Sequence, residues 1–240
     1  MTAPTDAGQK GRRNHSADQE AHERLHPTII NPNWLVLRSR ARIFTAWVRR
    51  IPGNELRILD VGGRLQPYRP LFGNRLSGYY SVDLAAGERV NVRGKAEELP
   101  FAAEAFDVVI CTQMLEYVPC PQQAIDEILR VLRQGGYLLL SAPAVFLRDS
   151  DPEYWRFLPA ALRLLLSKFS RVEIAPEGLS VAGLARTINV GVAAFSPSII
   201  RSIARYTLTP LLNLAAVSLE ALVRTRNDQF TANYSVLARK

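Results

Sequence analysis

Cysteine is almost missing from this chain, and histidine is missing where chemistry would need it. Cys111 and Cys120 are the only cysteines, and neither lies in a CxxC pair. A disulfide framework and a cysteine-built zinc cluster are thereby excluded, no metal site is expected, and a reducing, cytoplasmic setting fits. The three histidines, His15, His22 and His26, all precede residue 27, so the body of the chain holds no histidine base. Long apolar runs are absent too. The best candidates, 187–200 and 206–219, carry polar residues and fall short of the roughly 18–20 residues a spanning helix needs. The polar first 25 residues contain no apolar core of a secretory signal. No internal repeat and no long low-complexity tract occur. Acidic residues are in deficit, 22 against 30 basic ones, for a net charge of +8. The excess gathers near the two ends, from Lys10 to Arg50 and from Arg201 to Lys240. Such a balance serves nucleic acid, an anionic membrane face, an acidic substrate or simply a solvated surface.

What is present has a clear order. Residues 1–25 lack hydrophobic periodicity and are expected to be disordered. Residues 26–53 hold a helical segment, Trp34 to Ile51, with Ile43, Phe44, Trp47 and Val48 on one face, closed by Pro52-Gly53-Asn54. From 54 to 180 short apolar runs alternate with helical patterns. Strands are expected at Leu56–Val61, Tyr79–Leu84, Val90–Val92, Phe106–Thr112, Tyr137–Ser141 and Arg171–Ile174. Helices are expected after Pro67, from Pro121 to Gln134, and from Leu158 to Phe169. This alternation predicts an α/β fold, a doubly wound and mostly parallel sheet with helices on both faces. Residues 181–226 break the rhythm with apolar stretches punctuated by arginines, Pro197 and Pro210, and are expected to form a C-terminal helical cap or insertion. A last strand falls within 230–240.

Two features carry ligand chemistry. In ILDVGGRLQPY (58–68) an apolar strand runs into Asp60 and then Gly62-Gly63. At the carboxyl end of a first strand such a turn lets backbone approach a ligand, although the same turn also serves as an ordinary tight turn. Asp83 ends YYSVD, 23 positions beyond Asp60. A carboxylate at that spacing accepts hydrogen bonds from ribose hydroxyls; the structural alternative is a cap after a strand.

Five segments in order, ILDVGG, YYSVD, AEELPF (96–101), FDVVICTQMLEYV (106–118) and ILRVLRQGGYLLLSAP (128–143), give a chain that resembles the class I S-adenosylmethionine-dependent methyltransferases. EYWRF (153–157) and the terminal FTANYSVLARK extend the likeness weakly. The resemblance implies a Rossmann-like seven-stranded sheet with S-adenosylmethionine as cofactor. It implies that Asp60, Gly62 and Gly63 surround the methionine end, that Asp83 holds the ribose, and that Ala96 and Glu97 flank the adenine. Thr112 and Gln113 would then line the cofactor near the sulfonium. The chain departs from the family pattern at three points: Arg64 and Gln66 stand where DxGxGxG has its second and third glycines, Lys95 replaces a frequent aspartate, and Tyr117 replaces a frequent histidine.

With histidine excluded, Glu116, Tyr117 and Asp149 are the candidate acid–base residues, with Asp151 and Glu153 nearby. In RDSDPEYWRF (148–157), Tyr154 and Trp155 offer flat surfaces for an acceptor, and Arg148 and Arg156 charges for an anionic group. The alternative is a loop packed on its neighbours. By analogy with the family, the acceptor is a sugar hydroxyl, a lipid-linked glycan or a small metabolite. The helices of 181–226 either form a lid or lie on a membrane, and the basic ends offer a second peripheral contact at its inner face. Two rival classes stand beside the enzyme: a non-catalytic partner or scaffold whose cofactor site Arg64 and Lys95 have spoiled, and a nucleic-acid methyltransferase. The chain carries no NPPY motif for base amino groups, and no GxGxxG for a nicotinamide cofactor.

Overall fold

A computed structural model of the chain describes residues 17–148, 150–223 and 227–240. Seven strands form one sheet in the order β3-β2-β1-β4-β5-β7-β6. They are β1 (Leu56–Val61), β2 (Leu76–Asp83), β3 (Val92–Arg93), β4 (Phe106–Thr112), β5 (Leu132–Pro143), β6 (Arg171–Pro176) and β7 (Asn233–Arg239). All pairs from β3 through β5 are parallel, and β7 runs antiparallel to both its neighbours. The expected Rossmann-like, mostly parallel sheet is therefore present.

Both faces of the sheet are covered, which is why its central strand is an unbroken apolar run. Val109 and Cys111 of β4 face a core built with Ile125 and Ile128 of α3 (Pro121–Val131) and Leu162 of α4 (Pro159–Leu165). Val108 and Ile110 face the opposite core, built with Phe44, Trp47 and Val48 of α2 (Trp34–Arg50).

Four local expectations are corrected. The disorder expected through residue 25 gives way to a helix, α1, over 17–25, where Ala21 and Leu25, four apart, are buried and Glu20 pairs with Arg24; residues 1–16 lie outside the described residues. No α-helix follows Pro67. The chain instead enters a short 3-10 segment, Arg69–Arg75, which Gly73 interrupts at φ +52 and ψ −130. Tyr68 and Phe72 are buried from this turn. Helix α3 stops at Val131, since Leu132 is already extended and paired with Phe106. Helix α4 is shorter than the span 158–169.

Three further helices, α5 (Ser180–Phe195), α6 (Ser198–Tyr206) and α7 (Leu208–Val223), stand between β6 and β7. Ala182 and Ala185 of α5 pack with Ala216 of α7 and Leu35 of α2.

One polar contact joins these parts. Arg40, on the buried face of α2, reaches Glu177, just beyond β6, with Nη2 to Oε2 at 2.8 Å and Nε to Oε1 at 2.9 Å. The Glu177 carboxylate also accepts from Ser141 of β5 and Ser235 of β7, each at 2.6 Å. Both ionic side chains are almost fully buried. Removing one partner of such a pair strands the other charge in a dry interior, so Arg40→Met is expected to cost about 3–5 kcal/mol. The exposed pair of Arg50 with Glu173 is the control: Arg50→Met should cost at most about 1 kcal/mol. Urea unfolding of both variants measures the difference, and equal losses would contradict it.

Candidate active site

A cavity of about 940 Å³ opens at the carboxyl ends of β1, β2 and β4, with α1, α2 and α5 contributing its remaining walls. In an open, mostly parallel sheet this is where ligands bind.

Its first wall is the turn after β1. Gly62 lines the cavity in a left-handed conformation, φ +76, with its N–H on the Val82 carbonyl at 2.8 Å. A Cβ there would meet Met114 Cγ at 3.0 Å. Gly63 is not a lining residue. A Cβ on it would lie 2.6 Å from the Asp60 side chain, so its smallness serves the turn itself. Asp60 is buried and accepts a hydrogen bond from the Tyr79 hydroxyl at 2.7 Å. Burial pushes its carboxyl pKa up to about 7, although the Tyr79 hydrogen bond opposes that shift.

Asp83 lies at the end of β2 and lines the cavity while its Oδ1 accepts the Ala85 N–H at 2.8 Å. The capping role and a place at the cavity thus coexist. Ala96 and Glu97 line the next stretch. The irregular positions have separate explanations. Arg64 and Lys95 line the cavity but are exposed, so they stand at its rim. Gln66 is buried and its Nε2 donates to the Arg89 carbonyl at 2.7 Å, fixing the loop after β2 to the β1 turn.

The third wall follows β4. Thr112, Gln113 and Met114 line it, and Gln113 sits at φ +50 with its N–H on the Ser141 carbonyl at 2.9 Å. The 3-10 turn Leu115–Tyr117 then presents Glu116 and Tyr117 to the cavity. Glu116 is 2% exposed and its Oε2 has no hydrogen-bond partner. Burial pushes its carboxyl up to about 7; its own backbone N–H and the Arg40 charge work against that shift.

The acceptor residues expected in 148–157 are not brought into the cavity. Arg148, Tyr154, Trp155 and Arg156 line none of it, and Asp149 lies outside the described residues. Tyr154 and Trp155 are 50% and 42% exposed. Their backbone N–H groups both donate to the Glu116 carbonyl, at 2.7 and 3.3 Å, and the Trp155 indole donates to the Val118 carbonyl at 2.9 Å. Arg156 pairs with Glu153 at 2.8 Å. The segment holds the Glu116 turn in place, and of its residues Glu153 reaches the cavity. Arg40, Phe146 and Arg186 line the cavity and were not legible as site residues. The Arg186 guanidinium lies 3.9 Å from the Phe146 ring centroid and donates to Asn33 Oδ1 at 2.9 Å. Among the described residues no group of three or more metal-ligating side chains is assembled.

A family model described as a methyltransferase domain matches residues 67–140, the stretch that supplies Asp83, Ala96, Thr112 and Glu116. Over residues 67–140 the chain is thus similar to methyltransferase domains. Among relatives, an uncharacterised methyltransferase of Mycobacterium marinum is 30% identical over 126 residues, covering 48% of this chain and 45% of that protein, so the match spans less than half the relative's length. The methyltransferase fold recurs in a S-adenosylmethionine-dependent methyltransferase from Archaeoglobus fulgidus, 15% identical, covering 91% and 97% of the two chains with a TM-score of 0.51. It also recurs in the [4+2]-cyclase SpnF, 22% identical, covering 83% and 81% with a TM-score of 0.52. These structural likenesses concern the fold, and a cyclase among them shows that the fold alone does not fix the reaction.

Two cavity carboxyls, Asp60 and Glu116, have folded pKa values near 7, above their ordinary 3.8 and 4.5. The folded state then binds more protons than the unfolded state from about pH 4 to about pH 7. Their contribution to stability is full at the acid end and is lost as pH rises through that window, by up to about 1.4 kcal/mol per pH unit for each group. Asp60→Asn and Glu116→Gln should each flatten the fall of Tm between about pH 4 and pH 7. A wild-type Tm that rises across this range would contradict the assignment.

Proposed function

We propose that the chain transfers a methyl group from S-adenosylmethionine to a hydroxyl of a sugar, a lipid-linked glycan or a small metabolite. The observation that carries this reading is Glu116, a carboxyl buried in the cavity wall with one oxygen unpartnered. A buried oxygen without a donor costs stability, and a ligand hydroxyl is a group that would satisfy it.

The residues present fit the cofactor. Asp83 would offer carboxylate oxygen to ribose hydroxyls, Ala96 and Glu97 would flank the adenine, and Val82 and Met114 would supply apolar wall. Gly62 opens the turn beside Asp60 for the amino-acid end, with Gly63 supporting the turn from behind. Thr112 and Gln113 would line the cofactor near its sulfonium. When bound, S-adenosylmethionine supplies a methyl group already activated by the sulfonium charge. The protein's work is then to position the acceptor and take its proton. Glu116, with a pKa near 7, is ionised in a useful fraction at neutral pH and accepts the hydroxyl proton at Oε2. Tyr117 lines the wall next to it, and Asp149 has no role in this scheme.

The rival readings have less support. Arg64 and Lys95 stand at the rim and leave the cavity open, which argues against a spoiled site. The lining mixes Glu20, Glu23, Asp83, Glu97 and Glu153 with Arg24, Arg40, Arg64, Lys95 and Arg186, which is not the one-sign basic groove that a nucleic-acid strand calls for.

Calorimetry with S-adenosylhomocysteine and transfer of labelled methyl into sugar, glycan and metabolite hydroxyls test the proposal. Glu116→Gln should keep cofactor binding and lose transfer by about 10²–10⁴-fold. The wild-type kcat/KM should rise with pH towards a plateau above about 7. Full transfer by Glu116→Gln would remove the base assignment, and no binding by the wild type would remove the enzyme reading.

A further inference from the structure

Helices α5 and α7 bury polar side chains and expose apolar ones. On α7 the positions turned inward are Thr209, Asn213, Ala216 and Glu220, at helical spacing, while Leu211, Leu214, Leu219 and Leu222 face out. Asn213 donates to the Ile29 carbonyl at 2.7 Å and accepts from Asn189 of α5 at 3.0 Å, and the Glu220 carboxylate takes the N–H groups of Leu179 and Ala182. On α5 the same division holds: Arg186 and Asn189 are buried, and Leu184 and Ile188 are exposed. Phe195 and α6 continue the outer face, with Ile199, Ile203 and Tyr206 one turn apart and 60–74% exposed. Helices that face water carry the opposite pattern. Most of the large apolar side chains exposed among the described residues sit on this one unit. Contiguous apolar surface of this kind marks an interaction site.

The charges on the same face select the partner. No Asp or Glu occurs from Ser180 to Leu219, and Arg201 and Arg205 are exposed beside the isoleucines of α6. Apolar side chains ringed by arginine, with no acid among them, match a bilayer interface with anionic headgroups. A contact with a second copy through this face would bring Arg201 and Arg205 of both chains into one interface with no Asp or Glu between Ser180 and Leu219 to pair them. No helix among the described residues is long and apolar enough to cross a membrane, so contact with the interface, not insertion across it, is what the unit can make.

We propose that the outer face of α5–α7 docks on an anionic bilayer surface, with Ile199, Ile203 and the leucines of α7 in the acyl boundary and Arg201 and Arg205 at headgroup phosphates. The inner face of α5 carries Arg186 into the cavity. Docking therefore sets the cavity about one helix diameter, roughly 10 Å, from the lipid. The docking stands independently of the reaction proposed above.

Flotation of the full chain with vesicles is the test. Binding is expected to vesicles of phosphatidylcholine with phosphatidylglycerol, to be weaker with phosphatidylcholine alone, and to fall as salt rises. The double variant I199Q/I203Q should lose at least about tenfold in partitioning, with thermal unfolding and S-adenosylhomocysteine binding unchanged because both side chains are exposed. A variant that unfolds is replaced by R201E/R205E, for which the same loss is expected on anionic vesicles. Wild-type chain that stays off anionic vesicles at low salt overturns the proposal. If light scattering then shows a dimer that the variants dissociate, the face is covered by a second copy. Equal binding by wild type and folded variants overturns it as well.

Discussion

The buried pair of Arg40 and Glu177 is the contact on which the arrangement of the site rests. It ties α2 to the segment beyond β6, and through Ser141 and Ser235 it gathers β5 and β7 under the same carboxylate. Desolvation of Arg40 works against its charge, but Glu177 and Tyr68 more than offset it and the guanidinium stays ionised. Arg40 also lines the cavity, and its charge reaches Glu116. One ion pair thus connects the packing of the N-terminal helix to the protonation of the carboxyl at the heart of the proposed chemistry.

Around that anchor the cavity is assembled from strand ends that diverge where the sheet order reverses between β1 and β4. The connections β2–β3 and β3–β4 contain no helix, and the loop after β2 is fastened instead by Gln66 and by the ion pair of Arg89 with Asp18 of α1. This explains how a turn with Arg64 and Gln66 in place of two glycines still frames a cavity. Gln66 is part of the wall's support, and Arg64 stands exposed at the cavity's rim.

The fold was largely legible because its signals are local. An apolar run as short as FDVVICT, bracketed by a helical pattern and a glycine turn, reads as a doubly covered strand. Asp60, Asp83 and Glu116 were legible because they lie at strand ends within a recognisable order. Glu177 and Arg40 were not, since they are 137 positions apart and nothing in either neighbourhood marks a partner. The aromatic pair Tyr154 and Trp155 reads as a binding surface because flat side chains stand in a loop; the structure leaves both off the cavity lining and uses their backbone N–H groups to hold the Glu116 turn. The reversed polarity of α7 was written in the spacing of Thr209, Asn213, Ala216 and Glu220. A reading that assumes apolar means inward overlooks it.

The most direct test of the account is a structure of the full chain with S-adenosylhomocysteine. The account predicts the ribose on Asp83, the amino-acid end at the Gly62 turn, and the sulfur facing the part of the cavity bordered by Glu116 Oε2. A cofactor bound elsewhere, or a sulfur turned away from Glu116, would contradict it.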